Sequence, residues 1–496
     1  MADLQSTNRV ALARCRETTF GVTPANPVFK AIRQTQSGLN ANPKTKVTSE
    51  IRGDRQVTDL ILVGQDANGN IGGELAFQVA DDDLEEALQG TWSNSPSIIN
   101  TGAGTPISAL SATTATVTTP LGSQFVAGML VLTGGFTASA NDGLLIGVSS
   151  STATTVVFPA STFTVDAAPV AGAFLRQVGF VGAATDIAAV TSGGNALTST
   201  TLDFTTLGIQ VGEWVKVGDG DHAGCSFATA ADNGYCRVSV VAAHRLSFDR
   251  VPTGWVADAG TGVTLRCFTG DFLTNGSTKR PNTIERQYLD HSPVTYEYLR
   301  GMTLNTLQID GKQQDIATYT KTYMGRDAYL PSPMVRISGA TDVAAPTYGV
   351  LNTSSNVGRI GFDGSTITGP NFVLSTSIVI NNNLRSQSAI GSVGAVGTGN
   401  GEFNVTGRLE TYFGDPSVYQ KVINNTLTSY DLRVGRADGN RESLLIDLPS
   451  IKMSGGAPSV SGKNQDVTLP GAFQAIMDAV KGYTMSVGRF WYLPIV

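Results

Sequence analysis

Histidine is almost missing from this chain. The 496 residues contain three, His222, His244 and His291, and no two stand at metal-ligand spacing. Cysteine is equally sparse: Cys15, Cys225, Cys236 and Cys267 form no CxxC pair and no disulfide framework, although Cys225 and Cys236 could meet across a hairpin. Charged residues make up 15%, against roughly a quarter in an average domain. The net charge of −6 argues against binding nucleic acid through a basic patch. No window approaches the roughly 18 consecutive apolar residues of a membrane span, and the first residues lack the apolar core of a signal peptide. Membrane insertion is not expected, and folding in a cytoplasm is. There is no GxxxxGK[ST] phosphate loop and no nucleophile elbow. The GDGD run before His222 lacks the bidentate Glu of a calcium loop. Acids do cluster, at Asp81, Asp82, Asp83, Glu85 and Glu86, but they read as the start of a helix. These absences leave no constellation for an enzyme, and no cofactor or metal is expected.

Glycine is abundant at 56 residues, and Thr, Ser and Val recur in short runs, which favours strands and turns. The composition changes near Asn94 and again near Asn275. Between Thr101 and Asn275 there are 6 basic and 11 acidic residues, so this segment carries −5 of the net −6. The segment is internally repeated: Phe125 to Phe158 matches Ile209 to Phe248, with Gly128 on Gly212 and an NDG turn at 141–143 on a DNG turn at 232–234. Two small β modules in tandem are expected, each with its own core.

A second duplication lies outside this segment. Residues 71–88 (IGGELAFQVADDDLEEAL) resemble 405–422 (VTGRLETYFGDPSVYQKV), which sets Gly73 on Gly407 at an offset of 334. GKQQDI at 311–316 matches GKNQDV at 462–467 at an offset of 151. The offsets differ by 183, about the length of the low-charge segment. The first copy is therefore split by an insertion. Each copy reads as a β-sandwich or open barrel with a short helix. Asp82 or Asp83 is expected to cap the first helix, and Asp415 the second with Pro416 following. A further helix is expected at 470–482, with Phe473, Ile476, Met477 and Val480 on one stripe. The expected division is an extended arm over 1–28, a first unit over 29–93 plus 276–335, inserted modules over 94–184 and 185–275, and a second unit over 336–496.

The stretches RETTFGVTPANP (16–27), SEIRGDRQVTDLILVG (49–64), GELAFQVADDDLEEAL (73–88) and TIERQYLDHSPVTYEYLRGMTLNTLQI (283–309) together resemble the tail tube proteins of long-tailed bacteriophages. The resemblance implies a structural virion protein, mainly β; the two tube-type units and the inserted pair of modules depart from simple members of the family. It implies assembly in a host cytoplasm into stacked rings that form a hollow tail, the conduit for genome delivery. Double-stranded DNA would pass without specific binding, and the tape-measure and tail-end proteins of the same virion would be partners. If simple relatives form rings of six units, two fused units should close a pseudo-sixfold ring of three chains. On this reading the N-terminal arm lies along a neighbour, with Arg16, Phe20, Val22 and Phe29 as assembly residues, and its removal should leave a folded subunit. Glu74, Glu402 and Glu410 are candidates for the wall of the lumen. The insertion should project outward, and its excision should leave normal tubes. The alternative reading is a secreted or surface β-rich adhesin binding glycans, which the Thr/Ser-rich modules suggest.

Overall fold

The computed structural model describes residues 4–160, 162–367, 369–460 and 462–495. It is built from strands, with two short α-helices among the described residues. In the first unit, β1 (Val10–Arg16), β2 (Gln36–Ser37), β3 (Asn40–Val47) and β4 (Leu60–Glu74) precede α1 (Asp81–Leu88). After the insertion come β5 (Asn282–Tyr288), β6 (Thr295–Lys312) and β7 (Thr318–Gly325). The second unit runs β8 (Val357–Phe362), β9 (Val373–Asn381), β10 (Asn404–Tyr412), α2 (Ser417–Ile423), β11 (Leu427–Gly435), β12 (Ser443–Gly455) and β13 (Thr468–Ala475), and a last strand, β14 (Ser486–Phe490), follows.

The two units share one pairing scheme. In the first, β1 pairs β5, β5 pairs β6, β6 pairs β7, and β7 pairs β4. In the second, β8 pairs β11, β11 pairs β12, β12 pairs β13, and β13 pairs β10. All these ladders are antiparallel. The glycine match has a physical cause. Gly73 lies opposite Tyr319 and Gly407 opposite Phe473, and a Cβ at either glycine would enter the facing ring. Both units thus use a missing side chain to lay an aromatic ring flat on the sheet. One continuous core extends under both, including Ile71, Leu84, Leu307, Ile380, Val405 and Phe473.

Two expectations about helices need correction. Asp82 and Asp83 do not cap α1: its first turn follows Ala80 and has no side-chain cap bond. Asp83 instead sits fully buried between Arg14 of β1 and Lys321 of β7, accepting from Lys321 Nζ at 2.8 and 2.9 Å and from Arg14. Asp82 takes Lys30 at 2.6 Å and Arg14 at 3.2 Å. Burial pushes Glu86, beside Arg14, up to about 7, while Arg14 and Lys30 hold Asp82 down at about 2. The acids of α1 therefore bind the helix to strands rather than to its own backbone. Asp415 accepts from the Ser417 N–H at 2.8 Å, but α2 begins at Ser417, after Pro416, and likewise has no side-chain cap bond. The helix expected at 470–482 is absent. Leu469, Gly471, Phe473 and Ala475 alternate inward on β13, and Met477 and Val480 are exposed on the turn that follows. The period of two was the correct one.

The inserted segment preserves its own repeat in its hydrogen bonds. Gly128 and Gly212 both have φ near +90°. Phe136 N–H donates to Asp142 and Phe227 N–H to Asn233, each at 2.9 Å; Thr137 and Thr229 N–H donate to Asp166 and Asp258, each at 3.1 Å. The two halves do not have separate cores, however. Strands 129–134, 174–181, 266–268, 214–217 and 234–242 are consecutive in one sheet, and one hydrophobic cluster spans Ile98 to Cys267. All four cysteines are free and buried.

The insertion is also packed onto the second unit. Leu130, Leu132, Val178, Trp214 and Phe268 form one cluster with Leu445, Phe490, Tyr492 and Leu493. Arg237, 1% exposed, makes two 3.1 Å bonds to Asp447, itself 1% exposed, and a further pair to Asp249. The expectation that excision leaves a normal subunit therefore reverses. Joining the flanks near Asn94 and Asn275 would uncover four large apolar side chains, each worth ~1.5–3 kcal/mol of burial, and would leave Asp447 without its cation. The expected result is a lower unfolding temperature and binding of a hydrophobic dye; unchanged unfolding would contradict the shared core.

At the root of the insertion a cavity of about 100 Å³ is lined by Ser93, Gln177, Gln210, Glu213 and Thr269. Glu213 is 3% exposed, accepts from the N–H groups of Gln210 (3.0 Å) and Gly270 (3.3 Å), and is pushed by burial up to about 8. Its stabilising proton is fully retained below the unfolded value of about 4.5 and is lost as pH rises through 8. Glu213→Gln should therefore match the parent in thermal unfolding at pH 4 and exceed it at pH 9. A variant equal to or weaker than the parent at pH 9 would refute this.

Candidate assembly surface

The two units meet through a strand pair. β6 carries β7 on one side, while on the other its residues Thr306–Lys312 pair antiparallel with Asn381–Ser375 of β9. The main-chain sheet therefore runs unbroken from β3 and β4 through β7, β6, β9, β10 and β13 to β12. Its side chains divide by face. Leu307, Ile309, Ile378, Ile380, Val405 and Leu409 point into the core. By strand alternation Thr306, Gln308, Asp310, Ser377, Thr406 and Arg408 occupy the other face, which is open.

This sheet ends in two open edges. Among the described residues, Gln36 and Ser37 pair only with Gly72 and Ile71 of β4. Gly38 N–H donates inward to Asn70 at 2.8 Å, so by alternation the Ser37 N–H faces outward. The edge borders an open groove of about 640 Å³ lined by Val10, Gln34, Thr35, Gln36 and Tyr288. At the far end, Leu427 pairs Lys452, and beyond it Met453 to Gly455 carry β13 on one side and no strand on the other among the described residues. Superposing the registers at the Gly–aromatic pairs places Met453 where Ile309 stands in the first unit, and Thr35 where Ile378 stands in the second. The two open edges are thus the counterparts of the two strands that join inside the chain.

The expected arm is not an arm. Residues 10–16 form β1, zipped to β5 from Val10↔Tyr288 to Arg16↔Asn282, with Leu12, Ala13 and Cys15 buried. Glu17, 4% exposed, fixes the following turn by accepting from Gly21 N–H (2.6 Å), Gly301 N–H (2.9 Å) and Thr283 Oγ1 (2.8 Å). Phe29 is fully buried, packed on Tyr298, and so is not free to anchor on a neighbour. Phe20 covers Gly301 within the chain, and Arg16 bonds Glu85 at 2.9 Å. Val22 remains exposed. Truncation before Phe29 would remove β1 and Arg14, so the shortened chain is not expected to fold. The apolar run from Val10 to Ala13 carried the signal; a buried Arg14 and Glu17 disguised it as a polar tail.

Of the candidate wall residues, Glu74 and Glu410 lie on the open face, the latter accepting from Ser375 Oγ at 3.2 Å. Glu402 precedes β10 and is exposed on a loop, not on a strand. The open face is largely hydroxyl and amide, with Arg408 and Asp310 among its few charges.

A family model described as phage tail tube protein matches residues 7–221 and 252–475, and no curated protein matches the chain.

Proposed function

The chain belongs to the phage tail tube protein family, and we propose that three copies close head to tail into a pseudo-sixfold ring, with rings stacked into the tail tube through which the genome leaves the virion. The observation that carries this reading is the β6–β9 junction. It is a heterologous contact between two like units, and the chain leaves one half of the same contact open at each end. A contact of that kind generates a closed ring or an open helix. Closure would pair the segment at Thr35 of one chain with Met453–Gly455 of the next, and would remove both exposed edges, which are otherwise aggregation hazards.

The open face would then line the channel. Its hydroxyls and amides, with Glu74 and Glu410, offer phosphate few fixed cations, so DNA would slide rather than bind. The insertion, fixed on the opposite side of the core, would stand outside the tube. Other tail proteins would meet the tube at its ends. Electron microscopy of the purified chain tests the reading: tubes or stacked rings are expected, and dispersed monomers at every concentration would overturn it.

A further inference from the structure

Building on that head-to-tail reading, we propose that the hairpin β3–β4 is a clasp that packs by apolar contact on the second unit of the neighbouring chain, around the end of α2 and the turn after β13. The chain already contains the equivalent contact between its own units. Residues 382–403, which connect β9 to β10, fold back onto the first unit. Asn400 Nδ2 donates to Gln89 Oε1 at 2.7 Å at the end of α1, Asn382 Nδ2 donates to the Ala87 carbonyl at 3.0 Å, and Lys279 Nζ donates to the Thr398 carbonyl. Farther out, Gln65 N–H donates to the Val393 carbonyl at 2.8 Å, and Gly394 lies against Arg326. The result is a sealed helix end, with Leu88 and Gln89 both buried.

The second unit has the same surface without the cover. Ile423, the last residue of α2, is 64% exposed, and Leu427, at the start of β11, is 55% exposed. On the turn after β13, the counterpart of the Arg326 region, Met477 and Val480 are 63% and 81% exposed. Leu427 is paired at Lys452 and β13 at Ile451, so these apolar groups flank the open edge at Met453.

The first unit, in turn, has the cover without the surface. The counterpart of 382–403 is the outer part of the β3–β4 hairpin, which stands away from its own chain. Leu60, Ile61, Leu62 and Val63 run consecutively along it, each about half exposed, and Ile51 near its tip is fully exposed. Four adjacent exposed aliphatic residues are not required by the fold of one chain. Closing the ring through the open edges brings this hairpin onto the uncovered surface, just as β9 brings 382–403 onto α1. Nonpolar residues stand on both sides, so the contact should tolerate high salt.

Full-length chain carrying a photoreactive benzoylphenylalanine at Ile61, mixed with isotope-labelled parent and assembled, tests this. Irradiation should link position 61 to peptides covering 417–430 or 476–482 of a different chain. Rings that form but link position 61 elsewhere, for example to the ring above, overturn the clasp and leave the head-to-tail reading standing; parent protein that forms no rings overturns both. Independently, Ile423→Asp, at an exposed position, should raise the concentration needed for assembly at least tenfold without changing the unfolding temperature. Unaltered assembly of that variant would also overturn the clasp.

Discussion

Asp83→Ala should destabilise the chain by about 3–5 kcal/mol, the usual penalty for breaking a buried ion pair from one side. Among the described residues, Asp83 is the only carboxylate that faces both Arg14 and Lys321 at bonding distance, and all three side chains are buried. Its loss would strand Lys321 beneath α1 and leave Arg14 with only Asp82 and Glu86. Burial already lowers the Lys321 pKa, and Asp83 opposes that shift. Without Asp83 the lysine would shed its proton more readily, so the deficit should shrink as pH rises. Chemical denaturation of parent and variant at pH 6 and pH 9 measures both effects. A loss under 1 kcal/mol at pH 6 would mean that α1 is held by packing alone.

Ser37→Pro should leave the monomer folded and stop assembly. The residue is exposed, and its N–H faces away from β4 at the open edge. Proline removes that donor and places a ring two residues from Thr35, on the edge that a neighbouring strand must approach. The fold should be affected little, because Gln36 and Gly38 keep their inward positions. The variant is expected to unfold within a few degrees of the parent and to sediment as a monomer where the parent forms tubes. Normal tubes from Ser37→Pro would place the contact on another edge.

The duplication was legible because two short matches at different offsets, and the length of the low-charge segment, agreed. The structure adds the reason: Gly73 and Gly407 each lie under an aromatic ring that no larger residue would admit. The repeat inside the insertion was legible too, through Gly128 and Gly212, whose backbone conformation favours glycine. What misled was apolar or polar character taken as a sign of place. Ile476, Met477 and Val480 suggested a buried helical face, yet they lie on an exposed turn. Arg14 and Glu17 suggested a polar arm and the acids of α1 a helix cap, yet they form buried bonds between elements distant in sequence. The docking of the insertion through Arg237 and Asp447, 210 residues apart, leaves no local signature at all.

The most direct test of the central claim is the mass of a single ring, by native mass spectrometry of short assemblies or by reconstruction of the tube. Head-to-tail closure through copies of the β6–β9 junction predicts three chains per ring, with six similar but alternating units around the axis. Six chains per ring, or a ring in which β12 of one chain does not face the Ser37 edge of the next, would contradict it.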